Sequence, residues 1–186
     1  MADIRTFIAV DLPQEIKMDI DRMIAGFRRD GSGIRWVKAA NLHLTLRFLG
    51  DIPQQSVPGL AESLKENLSG FSAFDLVLAG MGGFPNLKRP RVIWIGTRVG
   101  TDRLIDLAGK VEKGCIGSGF DKSDKKFSSH LTIGRVKFPK GLEPLLEKIE
   151  KSEFELSKFA VNEISVVKSD LSPSGPKYTK LETVSL

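Results

Sequence analysis

The tetrad His43-Leu44-Thr45-Leu46 is spelled again, with one aliphatic exchange, as His130-Leu131-Thr132-Ile133, and the two copies hold both histidines of the 186-residue chain. Successive side chains of a β-strand point to opposite faces, so each tetrad sets imidazole and hydroxyl on one face and two aliphatic groups on the other. In the first copy Leu42, Leu44, Leu46 and Phe48 form the packing face, and His43 and Thr45 the polar face. The backbones of His43 and Thr45 stand roughly 6.6 Å apart, so both side chains can reach oxygens of one small anion. Writing this pattern twice commits the chain to two equivalent half-buried strands.

The surroundings of the tetrads repeat as well. Arg5 to Leu12, ending at Pro13, is rich in strand formers. From Gln14 to about Arg29, Ile16, Ile20, Met23, Ile24 and Phe27 mark one helical stripe that Gly31-Ser32-Gly33 ends. Ile34 to Val37 is a short apolar run before the first tetrad, which closes in a turn at Gly50 to Pro53. Leu60, Leu64 and Leu68 define a second helix with Pro58 in its first turn. Phe74 to Leu78 alternates as a strand, Gly80 to Pro90 has the glycines and prolines of an exposed loop, and Arg91 to Gly96 returns as strand. Leu104, Leu107 and Val111 mark a third helix, and Gly114 to Asp124 a flexible connection. The second tetrad is followed by a helix carrying Leu142, Leu145, Leu146 and Ile149, then by alternating segments either side of a turn at Ser172-Pro173-Ser174-Gly175-Pro176.

Phe74 follows His43 by 31 residues and Phe159 follows His130 by 29. Tetrad strand, turn, helix, alternating strand, loop and final strand therefore recur in each half. This predicts an α+β fold of two pseudo-symmetric lobes, each an antiparallel sheet with helices on the outside, making residues 1–186 a single bilobal domain built by internal duplication. Facing across the approximate two-fold axis, the polar faces would line one cleft.

Composition narrows the function classes. With 41% apolar and 27% charged residues the chain is globular rather than disordered. No apolar run is long enough to span a bilayer, and the opening residues, with Asp3 and Arg5, do not read as a signal peptide, which points to the cytoplasm. The single Cys115 forms no internal disulfide, and two histidines make a structural zinc site improbable; no metal and no cofactor is required. A net charge of +5 favours an anionic partner without identifying it.

Two imidazoles with ordinary pKa values near 6.5 can divide acid-base work at neutral pH, one accepting a proton and the other donating one. Thr45 and Thr132 would hold a phosphoryl group between them, and no covalent nucleophile is needed. Ser128 and Ser129, next to His130, read as residues opening the strand rather than as nucleophiles. Arg47, two positions beyond Thr45, continues the polar face and is a candidate phosphate contact; Arg135 falls on the other parity.

The paired tetrads resemble those of the two-histidine (2H) phosphoesterase superfamily. Arg5 to Pro13, Arg35-Trp36-Val37 leading to Asn41 through Gly50, Phe84-Pro85 before Pro90 to Trp94, and His130 to Arg135 are similar to the RNA 2',3'-cyclic phosphodiesterases once called 2'-5' RNA ligases. Ser129 departs from the proline many relatives carry before the second histidine. The resemblance implies metal-independent hydrolysis of RNA 2',3'-cyclic phosphate ends to 2'-phosphomonoesters, with 2'-5' ligation as the reverse reaction; the chain is expected to be a monomer. It further implies His43 as proton donor, His130 as proton acceptor, and Thr45 and Thr132 as phosphate-binding hydroxyls. Two other readings stand beside it: a related cyclic phosphodiesterase acting on ADP-ribose cyclic phosphate or another nucleotide, and a non-catalytic module that binds RNA ends.

Overall fold

The computed structural model describes residues 2–28, 33–173 and 175–186. Its strands are β1 (Asp3–Asp11), β2 (Ile34–Trp36), β3 (His43–Pro53), β4 (Phe74–Leu76), β5 (Leu78–Phe84), β6 (Val92–Thr97), β7 (His130–Val136), β8 (Phe159–Val161), β9 (Glu163–Asp170) and β10 (Lys177–Ser185). The helices are α1 (Gln14–Arg28), α2 (Val57–Leu68), α3 (Thr101–Gly117) and α4 (Glu143–Glu150). Arg29, Gly31, Ser32 and Ser174, which the sequence assigns to a helix end and turns, lie outside the described residues.

Two four-stranded antiparallel sheets dominate, in the orders β10-β9-β1-β3 and β5-β6-β7-β2, with β4 and β8 pairing as a small bridge between the halves. The lobes are thus the predicted α+β type, but neither is made from one half of the sequence. The His43 strand shares its sheet with β9 and β10 from the end of the chain, and the His130 strand pairs with β6 of the earlier half. The orders β9-β1-β3 and β5-β6-β7 correspond strand for strand, with β9 of the later half joining the first sheet and β5 and β6 of the earlier half joining the second. A hydrophobic pattern reveals which face of a strand is buried, but not which strand lies beside it.

The helices cross over in the same way. The second helix touches β10 and the third touches β3, so both cover the first sheet, while α4 touches β5 of the second. Phe27 of α1 stacks on Trp36 of β2 at 6.0 Å, which places α1 over the second sheet too. The leucine side of the tetrads faces these helices: Leu42 and Leu44 are 1% exposed, and Leu131 and Ile133 are fully buried. Each such side chain contributes about 1.5–3 kcal/mol by leaving water, which pins the opposite, polar face toward the gap where β3 and β7 approach each other.

Two glycine-rich stretches depart from the sequence reading. Gly80 to Phe84, expected as loop, is the body of β5, because the Trp94 indole of the neighbouring strand lies across Gly82 and occupies the space a Cβ would need. Gly114 and Gly117, expected in a flexible connection, continue α3. A Cβ on Gly114 would stand 3.1 Å from a Leu64 methyl, and the Gly114 carbonyl accepts a hydrogen bond from Ser63 Oγ at 2.9 Å, so the glycine lets α2 and α3 pack closely. Pro58 does fall in the first turn of its helix, where a missing N–H costs nothing.

Candidate active site

His43 opens β3 and His130 opens β7, and both rings are oriented by the same device. His43 Nδ1 donates to the carbonyl of Asn41 at 2.8 Å, and His130 Nδ1 donates to the carbonyl of Ser128 at 2.8 Å. A carbonyl can only accept, so Nδ1 carries the proton in both rings and Nε2 is left to give or take one. These carbonyls, each two residues before its histidine, were invisible to side-chain reasoning because any residue supplies one. Asn41 is also tied down, donating from Nδ2 to the Pro176 carbonyl at 2.9 Å. Phe7 stacks on the His43 ring at 4.6 Å and Tyr178 meets it edge-on at 5.1 Å, whereas Phe84 meets His130 edge-on at 4.9 Å. Ser129 bonds to Thr97 Oγ1 at 2.6 Å and thereby anchors the start of β7, in line with its reading as a strand-opening residue.

One cleft of about 370 Å³ is lined by His43, Thr45, His130 and Thr132 together. Arg47 is not among its lining residues, and the reason is a β-bulge. Ala9 stands opposite Thr45 and Ile8 opposite Arg47, so Leu46 is an extra residue in β3 and the alternation inverts beyond it. Arg47 is thereby turned to the helix side. Its Nε lies 2.9 Å from Glu112 Oε2, an ion pair angled too poorly to count as a hydrogen bond, and its Nη2 donates to the Asp121 carbonyl at 2.6 Å. Phe48, expected on the packing face, joins the cleft instead and is 45% exposed.

The second strand repeats the irregularity. Trp94 pairs with Thr132 and Ile93 with Gly134, so Ile133 is the extra residue, and Arg135, expected on the far parity, lines the cleft. The position corresponding to Arg47 is Gly134, where a Cβ would stand 2.8 Å from an Ile34 methyl and 3.0 Å from the Trp36 ring. Pure period-2 counting fails at these points, and nothing in either tetrad announces a bulge.

The lining is one-sided in charge. Arg5, Arg35, Lys38, Arg135 and Lys137 are its ionic members, and no carboxylate belongs to it among the described residues. Asp11, opposite His43 across the β1–β3 ladder, is occupied elsewhere, with Lys17 Nζ at 2.5 Å and Lys180 Nζ at 3.1 Å. Although burial pushes its carboxyl up, hydrogen bonds and charge from these two lysines hold it below the usual carboxylate range. Among the described residues no three His, Cys, Asp or Glu side chains converge as a metal site would require.

Burial is the largest influence on His43 and lowers its pKa; Lys17 and Arg135 add to the lowering, against the Asn41 carbonyl and Asp11. In the substrate-free protein His43 is therefore expected to titrate below about 6.5. The unfolded chain then binds more protons between the two values, so His43 erodes stability as pH falls below about 6.5 and has no such effect above it. An NMR titration of the two ring Cε1 protons reads this directly, and a His43 midpoint at or above 6.5 contradicts it.

The chain is similar to known proteins over nearly its whole length. The family model described as LigT like phosphoesterase matches the chain twice, over residues 10–94 and 95–178. The RNA 2',3'-cyclic phosphodiesterase of Thermotoga maritima is 38% identical over 95% of this chain and 92% of its own length; that of Methanothermobacter thermautotrophicus is 31% identical over 98% and 99%. Among solved structures, E. coli LigT complexed with 3'-AMP superposes with a TM-score of 0.76 at 27% identity, covering 99% of this chain and 98% of that one. The TT0787 protein of Thermus thermophilus superposes at 0.78 with 29% identity, covering 98% of each chain. With matched segments that reach from β1 to β10 and relatives alike over nearly their whole length, the chain belongs to the LigT-like phosphoesterase family.

Proposed function

We propose that this protein is a cytoplasmic, monomeric RNA 2',3'-cyclic phosphodiesterase that opens the cyclic phosphate to a 2'-phosphomonoester by metal-independent acid-base catalysis. The observation that carries the reading is the convergence of two carbonyl-oriented imidazoles and two threonine hydroxyls on one carboxylate-free, cationic cleft. It is supported by the activity named for the Thermotoga and Methanothermobacter relatives. All these groups come from one chain, so no second copy is needed to complete the site. The two successive matches to the family model and the corresponding strand orders also support a single bilobal domain that arose by duplication.

In this mechanism Nε2 of His130 accepts the proton of a water molecule attacking phosphorus, while protonated Nε2 of His43 gives its proton to the departing 3'-oxygen. Thr45 and Thr132 donate to the non-bridging oxygens, and the cationic wall offsets the charge that builds on the phosphoryl group. A neutral free His43 fits the donor role if the anionic substrate draws the proton onto it. Inorganic phosphate should accordingly move the His43 titration upward. A 5'-hydroxyl in place of water would leave a 2'-5' linkage, which accounts for ligation with the same two histidines.

The deciding experiment is incubation with 2',3'-cyclic nucleotides and short RNAs bearing the same end, followed by separation of 2'- from 3'-phosphate products, with and without EDTA. Exclusive 2'-phosphate, undiminished by chelator, is expected. A 3'-phosphate product or strong chelator inhibition overturns the mechanism, and tight binding without turnover at any pH selects an RNA-end-binding module instead.

A further inference from the structure

The His130 strand divides the face of its sheet in two. The second sheet runs β5-β6-β7-β2, and the cleft takes Arg35, Trp36, Val37 and Lys38 from β2 and the segment after it, but no residue of β5 or β6. On the β6 side Trp94 stands opposite Thr132, and Phe84 opposite Val92, which is itself opposite Arg135, so both aromatics share the face that bears His130. Phe84 meets the His130 ring edge-on at 4.9 Å and leads directly into the loop from Pro85 to Arg91. From Leu76 to Thr101 the chain has no acidic residue. Arg98 is taken by Glu155, whereas Lys88, Arg89 and Arg91 are exposed and enter no ion pair among the described residues. The loop is shaped by its main chain instead. The Arg91 N–H donates to the Phe84 carbonyl at 2.7 Å, the Val136 N–H to the Arg91 carbonyl at 3.0 Å, and the Arg89 N–H to Asn86 Oδ1 at 3.0 Å. Three unpaired cations thus stand on a firmly held loop beside His130, outside the cleft.

The direction of the reaction gives them a ligand. In the mechanism above the attacking oxygen comes from the His130 side and the 3'-oxygen leaves toward His43. When the attacking oxygen is the 5'-hydroxyl of a second strand, its proton passes to Nε2 of His130 and the P–O5' bond forms. The P–O3' bond breaks, and the 3'-oxygen takes the proton of His43. The rest of the incoming strand then lies beyond His130, where Phe84 and the cationic loop follow on the β6 side. Resting on the phosphodiesterase reading above, we propose that Lys88, Arg89 and Arg91 form the docking surface for a single-stranded RNA with a 5'-hydroxyl end, the acceptor of 2'-5' ligation. They hold its phosphates while the cleft holds the cyclic end. Such contacts read charge rather than base, so acceptors of different sequence dock alike. Water carries no phosphates, so hydrolysis is independent of this surface.

The test replaces Lys88, Arg89 and Arg91 together by alanine, which leaves the main-chain bonds of the loop in place. Hydrolysis of a 2',3'-cyclic mononucleotide is measured beside ligation of a cyclic-phosphate oligonucleotide to a 5'-hydroxyl oligonucleotide. The variant is expected to keep kcat/KM for hydrolysis within about twofold and to raise the KM for the acceptor strand by about tenfold. An unchanged acceptor KM, an equal fall in hydrolysis, or a wild type that hydrolyses but ligates at no acceptor concentration overturns the docking surface. A wild type that turns over no cyclic mononucleotide overturns the phosphodiesterase reading itself. Fluorescence anisotropy with a 3'-labelled 5'-hydroxyl oligonucleotide, the cleft being saturated with a nucleoside 2'-monophosphate, examines docking apart from turnover. An about tenfold weaker affinity in the variant, with a salt dependence shallower by about two in the log–log slope for three phosphates, supports the surface. Equal affinity and slope sink it.

Discussion

Replacing His43 or His130 with alanine is expected to lower kcat on a 2',3'-cyclic nucleotide by about 10²–10⁴-fold, the range a positioned acid or base contributes. In the proposed mechanism both rings act on one transition state, so the double variant should be little worse than the poorer single one. Asparagine replacements are the sharper control. An Asn side chain can still donate to the Asn41 or Ser128 carbonyl, which preserves the start of the strand while removing the titrating nitrogen. Far-UV circular dichroism and the urea midpoint should stay near wild type in the asparagine variants. Activity within tenfold of wild type in either would show that the paired imidazoles do not carry the chemistry.

The second large effect is an exchange of roles between two arginines. Arg135→Ala should reduce kcat/KM by about 10–100-fold, as expected for a charge-assisted contact to phosphate worth about 1.5–3 kcal/mol, with the urea midpoint hardly moved because Arg135 is exposed. Arg47→Ala should do the reverse. Its side chain and that of Glu112 are 13% and 22% exposed, so its loss leaves a largely buried carboxylate without its partner. The expected cost is about 1–3 kcal/mol of stability, short of a fully buried pair because some water reaches both groups. Steady-state kinetics and urea unfolding on the same two preparations settle the matter. If Arg47→Ala loses kcat/KM at unchanged stability, the placement of the bulge at Leu46 has no functional meaning.

The bulges also explain where sequence reasoning stopped. Period-2 alternation places His43, Thr45, His130 and Thr132 correctly, because each tetrad is regular β-strand and its leucines and isoleucine are buried. One residue further, a single extra residue reverses the faces that follow it, so Arg47, Phe48 and Arg135 all lie opposite to the simple count. Likewise the glycines of β5 look like loop punctuation until Trp94 is seen lying across Gly82. Their meaning resides in a neighbouring strand.

The sequence by itself determined the composition of the cleft's centre, the number of histidine-bearing strands and the α+β class, since these follow from local pattern: residue type, spacing, and the burial of one face. Only the tertiary structure decided which strands stand side by side, that each sheet draws strands from both halves, that backbone carbonyls set both histidine tautomers, and which arginine reaches the cleft. These depend on contacts between segments far apart in the chain, where strand pairing and bulge placement are settled by packing that no local window contains.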